Sequence, residues 1–485
     1  MAQVLGHCAA DFLGNSCHHA GVSGIPGLDL HLELAAARPA QALSAALRSA
    51  IVAGRLAPRT RLPAARALAA DLGLSRNTVA AVYAQLAAEG WLQPRVGAGT
   101  WVSDHTAAAG TVRRPRRPAA APHLIDLRGG VPDVTGFPRG EWLAAVRAAT
   151  MHAPAAEFGY GDPAGSLRLR AALAGYLART RGVAAQPEGV VVGSGFGELL
   201  VLVCRALRAR GARRLAVEAY GHRRHRRLIA ATGLEPVPIP VDGDGADVTM
   251  LEGADADAVL LTPAHQFPLG VPLAAERRRW LVAWARRRDA LVLEDDYDGE
   301  FRYDRRAVGA LQALAPDRVV YLGTASKAVA PSVGLAWAAP PAGLRAEVLD
   351  QRELGGGAPA GLQQLALAAF IEAHEYDRSV RRLRVRYRER LARLEQTVAR
   401  DLPGCALTGL AAGLQCLLRL PPGDDERRIE RAARRRGVLL EGLAAFRADG
   451  FAGRAGPALV IGYGAPPPGR YDTALSLLVE SIRAA

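Results

Sequence analysis

Val320-Tyr321-Leu322-Gly323-Thr324-Ala325-Ser326-Lys327 reads as a buried strand that ends at a glycine, followed by two hydroxyl side chains and a lysine. A short apolar run bounded by glycine fits a covered strand. Polar residues just beyond its carboxyl end lie where α/β sheets collect their ligands. The lysine is singular: of the 61 Lys and Arg residues in the chain, every one but Lys327 is Arg. Arg is effectively never deprotonated, so a position that keeps Lys in such a sequence is one where a neutral primary amine is needed. Taken alone, the lysine is equally a chance survivor, and its neighbours decide.

Two other segments supply the neighbours. Gly193-Ser194-Gly195-Phe196-Gly197 follows the strand VVV and precedes the helical ELLVLVCRAL, so backbone amides at a helix start are available to a phosphate. Asp295, Asp296 and Tyr297 end the strand ALVLE. A carboxylate there can pair with a pyridinium nitrogen, and a phenol can bond a ring oxygen. With Lys327 as a nucleophile toward an aldehyde, and with the Thr324 and Ser326 hydroxyls for phosphate, the three segments together describe a pyridoxal phosphate site.

Outward from this site, VVVGSG, RRLAVE, DAVLLTP, DALVLEDDY and DRVVYLG are short strands separated by helical stretches. That alternation predicts an α/β class with a mainly parallel sheet from residue 124 onward. At 485 residues, half of them apolar, the chain exceeds one ordinary core and predicts two or more domains. Its net charge of +14 favours a polyanionic partner, although base composition of a genome produces the same excess. Five scattered cysteines (Cys8, Cys17, Cys204, Cys405, Cys416) suit a reducing cytosol. Cys8 with Cys17-His18-His19 matches no usual zinc spacing, so no metal is expected. No apolar run reaches the ~20 residues that span a bilayer, which predicts a soluble cytoplasmic protein without a membrane partner.

The amino-terminal part has another character. After an extension over 1–37, residues 40–56 have helical periodicity and stop at Gly54 and Pro58. Pro63 opens a second helix (ARALAADLG), and Ser75 caps a third, RNTVAAVYAQLAAEG, which buries Val79, Val82 and Leu86 and leaves Arg76 and Asn77 in its exposed first turn. Trp91–Val102 then reads as a hairpin around Gly97 and Gly99. Between Arg38 and Ser103 eight Arg face only Asp71 and Glu89, an excess placed where a DNA face needs it. Residues 104–123, rich in Ala, Pro and Arg, form a linker.

RLAPRTRLPAARALAADLGLSRNTVAAVYAQLAAEGWL resembles the GntR family of winged helix-turn-helix regulators. The phrases YGDPAG (160–165), TPAHQFPLG (262–270), EDDYDGEFRY (294–303) and GTASK (323–327) resemble the fold type I aminotransferases, and the whole chain resembles the MocR subfamily of GntR regulators. The resemblance implies a winged helix-turn-helix (38–103) joined to a pyridoxal-phosphate-dependent transferase fold (124–485) with a small C-terminal α+β subdomain. It implies DNA contacts at Arg66, Ser75, Arg76, Asn77, Thr78 and Gly97. It makes Lys327 the residue that captures pyridoxal 5'-phosphate, with Asp295 on the ring nitrogen, Tyr297 and His265 near the ring oxygen, and Thr324, Ser326, Ser194, Gly195 and Phe196 about the phosphate. Tyr160 would reach the neighbour's phosphate across a homodimer interface, and Arg454 is the candidate for a substrate carboxylate. Two positions depart from the family pattern. His222 stands where an aromatic Tyr usually stacks on the ring, and Gly334 stands where an Arg usually grips the phosphate.

The expected function is a regulator of transcription that binds double-stranded DNA, senses vitamin B6 or an amino compound through Lys327, and changes its DNA affinity in response. A working aminotransferase and a regulator with a cofactor-free dimerisation domain are the alternatives.

Overall fold

The structure is a computed structural model that describes residues 38–95, 97–104, 124–303, 308–355, 357, 359–409, 411–453 and 455–485. It divides into two compact units, with the boundary between Ala120 and Ala121. The amino-terminal extension and nearly all of the expected linker lie outside the described residues.

Among its described residues the first unit has three helices, α1 (Pro39–Val52), α2 (Ala65–Asp71) and α3 (Arg76–Ala88), followed by the antiparallel strands β1 (Leu92–Arg95) and β2 (Gly99–Val102). Its core is one cluster in which Leu43 and Leu47 of α1 pack with Leu68 of α2, Val79, Val82 and Leu86 of α3, and Val102 of β2. The Ser75 hydroxyl accepts from the Thr78 backbone N–H at 3.0 Å and so caps α3, a contact worth about 1 kcal/mol. Between β1 and β2, Gly97 (φ +75°) and Gly99 (φ +102°) take the left-handed backbone that closes the hairpin.

The second unit is built on a seven-stranded sheet with the order Val191–Gly193, Ala336–Ala339, Val319–Thr324, Leu291–Asp295, Ala258–Leu261, Arg214–Glu218, Glu235–Ile239. The last five strands are parallel, and Ala336–Ala339 runs antiparallel to both its neighbours. The sheet is therefore mixed, with two strands beyond those expected. Alternate residues divide between its faces: Leu215, Leu260, Leu293 and Leu322 pack with helix Phe196–Ala209, while Ala216, Val259, Val292 and Val319 pack with helix Ala275–Arg288. Both faces are covered, which is why these strands read as continuous apolar runs. A four-stranded antiparallel sheet (Ala406–Thr408, Gln415–Arg419, Ala458–Gly462, Glu441–Gly442) forms the C-terminal α+β part with helices Glu426–Arg435 and Tyr471–Arg483. No helix among the described residues is long and apolar enough to cross a membrane.

Candidate functional site

In the first unit, Arg66, Ser75, Arg76, Asn77 and Gly97 are exposed and Thr78 is half-buried. The Ser75 and Thr78 hydroxyls lie 2.8 Å apart and are engaged in the cap, so Arg76 and Asn77 are the free side chains of that turn. Two of the eight arginines are paired, Arg48 with Glu89 and Arg59 with Asp104. Two more of the eight arginines lie at the hairpin. Arg95 lies 5.2 Å over the Trp101 ring, and the Arg61 side chain lies against Gly99.

In the second unit, the carboxyl ends of the central strands open into a cavity of about 460 Å³. It is lined by Lys327, Asp295, Tyr297, Thr324, Ser326, His222, Ser194, Gly195 and Phe196, which come from four separate segments of the sequence. Each arrives for a local reason. Lys327 follows the central strand Val319–Thr324, Asp295 ends the adjacent Leu291–Asp295, and Gly195, at φ +148°, makes the turn that starts helix Phe196–Ala209. The first amides of that helix have no intrahelical partner.

Lys327 Nζ donates to the Gly130 carbonyl at 2.6 Å. Burial lowers its pKa, and the Asp298 and Asp295 carboxylates offset only part of that effect. Asp295 is 5 % exposed, and burial together with the nearby Glu218 carboxylate pushes its pKa well above the usual range. Its Oδ1 has no hydrogen-bond partner, and its Oδ2 is 4.0 Å from His225 Nδ1. A buried carboxylate oxygen without a donor fits the N–H of a pyridinium ring. The neighbouring Asp296 points away from the cavity, as strand alternation requires, into a bidentate pair with Arg181 at 2.7 and 3.0 Å.

The Tyr297 phenol accepts from Gln415 Nε2 at 2.6 Å and lies 3.1 Å from His265 Nδ1, which in turn is 2.8 Å from Asp298 Oδ2. His265 therefore sits behind Tyr297 rather than on the cavity wall. Burial, followed by the Asp298 charge, raises the Tyr297 pKa well above its ordinary value and keeps the phenol neutral. His222 lines the cavity and stacks on Phe267, with ring centroids 3.9 Å apart and 12° between planes. Burial, then the charges of Lys327 and Arg226, push its pKa down to about 4, so the imidazole is neutral near pH 7. Thr324 Oγ1 bonds Ser326 Oγ at 2.9 Å. Tyr160 is fully exposed and away from this cavity, and Arg454 lies outside the described residues.

Several residues at the site had no signal in the sequence. His225 and Arg224 line the cavity, and Gly130, Gln415 and Asp298 hold Lys327, Tyr297 and His265. The EDDYDGEFRY phrase contains Asp298, but only the folded chain brings it to His265. Among the described residues, no group of three or more His, Cys, Asp or Glu is placed to hold a metal ion.

Residues 39–102 match the bacterial regulatory proteins of the gntR family, and residues 124–455 match the aminotransferase class I and II family. The chain belongs to the regulators that join these two domains, the MocR subfamily of GntR proteins. It is 35% identical over 379 residues to the HTH-type pyridoxine biosynthesis transcriptional regulator PdxR of Corynebacterium glutamicum, covering 78% of this chain and 82% of that one. It is 33% identical over 419 residues to the probable rhizopine catabolism regulatory protein MocR of Rhizobium meliloti, covering 82% and 85%. The second unit has the fold of an archaeal alanine:glyoxylate aminotransferase (TM-score 0.68, 22% identity, 74% of this chain and 91% of that one). Kynurenine aminotransferase of Pyrococcus horikoshii is similar in the same degree (TM-score 0.67, 22% identity, 75% and 91%).

Proposed function

We propose that this chain regulates transcription in the cytoplasm as a homodimer. It binds duplex DNA through Arg66, Arg76, Asn77 and the Gly97 hairpin, and it holds pyridoxal 5'-phosphate in the cavity around Lys327. The observation that carries the reading is the pairing, in one cavity, of a half-buried amine of lowered pKa with a buried carboxylate that has an unpartnered oxygen. The ring, when bound, supplies an aldehyde for an amine and a sink for electrons. The chain does the rest. Lys327 offers its nitrogen in neutral form, Asp295 accepts the ring N–H, Tyr297 is held by Gln415 to face the ring oxygen, and the helix start at Gly195 meets the phosphate.

A vitamin B6 or amino-compound effector fits the same cavity, and the relative PdxR is named for pyridoxine biosynthesis. Exposed apolar side chains support the homodimer. Leu143, Met151, Phe158, Tyr160, Leu167 and Leu362 are all about half exposed or more, on helices Arg139–His152, Leu167–Arg181 and Gly361–Glu372, the turn Ala155–Phe158 and the loop just after it. These helices pack on one another, and an apolar surface of this extent suits a second copy of the chain.

Titrating the purified protein with pyridoxal phosphate tests the reading. It is expected to give a visible absorption band that saturates at one cofactor per chain, and DNA affinity that differs between loaded and unloaded protein. No band at saturating cofactor would leave a cofactor-free scaffold, and sustained conversion of an amino donor to its oxo acid would make the chain an enzyme. In the first unit, Arg76→Ala is expected to weaken duplex binding about tenfold or more at fixed salt. Fluorescence anisotropy with operator and random duplexes checks it, and unchanged affinity for both would remove Arg76 from the interface.

A further inference from the structure

A phosphate held beside Lys327 needs a cation, and the cavity walls offer few. Gly334 takes a left-handed backbone (φ +63°), and a β-carbon there would meet nothing nearer than 4.0 Å, so that wall is open and carries no charge. Burial keeps His222 and His225 neutral near pH 7. Lys327 is committed to the aldehyde. Among the described lining residues, the one guanidinium is that of Arg224, on helix Arg223–Ala231.

Arg224 reaches the first turn of helix Phe196–Ala209. Its Nη2 lies 3.4 Å from where a β-carbon on Gly197 would stand, so the missing side chain at 197 leaves room for the guanidinium over the helix start. Arg224 is exposed and has no ion pair among the described residues. Its charge reaches into the cavity, since it contributes to lowering the pKa of both His222 and His225. At the far side of the same cavity the buried Asp295 keeps an oxygen without a partner, which marks a ligand independently of the helix start.

We propose that Arg224 grips the phosphate of the bound cofactor, in partnership with the amides at Gly195 and the Thr324 and Ser326 hydroxyls, and so selects the phosphorylated aldehyde over the unphosphorylated one. The inference rests on the pyridoxal phosphate reading above. A guanidinium fork and free helix amides together form the charge-assisted set that a phosphate requires.

Binding of pyridoxal phosphate, pyridoxal and inorganic phosphate to the full chain tests it, with inorganic phosphate followed as a competitor and the wild type compared with Arg224→Gln and Arg224→Lys. Arg224→Gln is expected to weaken pyridoxal phosphate about 10- to 100-fold, to weaken inorganic phosphate in parallel, and to leave pyridoxal unchanged. Arg224→Lys keeps the charge and retains part of the affinity. Circular dichroism verifies that each variant is folded. Arg224→Gln that binds pyridoxal phosphate as the wild type does, or that loses both aldehydes equally, overturns the role of Arg224 and leaves the cofactor reading intact. A wild type that takes up neither aldehyde removes both.

Discussion

Lys327→Ala is expected to abolish the visible absorption band that pyridoxal phosphate gives with the protein. In most cofactor-binding proteins a nearby lysine can take over part of the reaction with the aldehyde. Here no other lysine exists, so the loss should be complete rather than partial. Lys327→Arg should fail equally, because it restores the charge without a neutral amine. The variant should still fold, since among the described residues the side chain's one direct hydrogen bond is to the Gly130 carbonyl, worth about 1 kcal/mol. In the wild type, burial lowers the lysine pKa, so the neutral fraction grows as pH rises and its midpoint lies below that of an ordinary lysine. The rate of cofactor uptake should climb with pH, with its midpoint shifted down in the same direction. A band of undiminished height in Lys327→Ala would sink the assignment.

The largest effect on stability is expected from Arg181→Leu. The Arg181 side chain is buried against Asp296, which also accepts from the Tyr321 hydroxyl at 2.8 Å, and the guanidinium donates to the Gly299 and Val308 carbonyls as well. Removing the cation leaves a buried carboxylate and two backbone acceptors without their donor. The cost of breaking such a pair from one side is about 3–5 kcal/mol. Urea denaturation of the full chain should show the fall, and adding Asp296→Asn should recover part of it, because the stranded charge is then gone. A loss below ~1 kcal/mol would show that the Arg181–Asp296 pair does not hold this part of the fold together.

The readable part of this molecule was the part where chemistry restricts residue type. Only a lysine forms the bond to an aldehyde, only a carboxylate pairs with a ring N–H, and only glycine sits comfortably at the φ of Gly195, so Lys327, Asp295 and the 193–197 turn stood out with no structure in view. The helices of the first unit were readable for a different reason, since α3 sets Val79, Val82 and Leu86 on one face beneath a Ser cap. The supporting residues were not readable. Gln415 reaches Tyr297 across 118 positions and Gly130 reaches Lys327 across 197, and neither residue type announces a task. The strand Ala336–Ala339 was hidden because Ala-Trp-Ala-Ala is buried throughout and has neither alternation nor β-branched residues. His225 and Arg224 sat unnoticed in a run of arginines, HRRHRR, that resembles an ordinary solvated helix face.

The placement of the lone lysine has a practical corollary. A protease that cuts only after lysine has one target bond in the chain, between Lys327 and Ala328, and the fold keeps it at the cavity floor beside the fully buried Ala328. Cleavage into 1–327 and 328–485 therefore requires the large unit to open first. The rate at which those two fragments appear is a direct clock for that opening, and any molecule that settles in the cavity slows the clock.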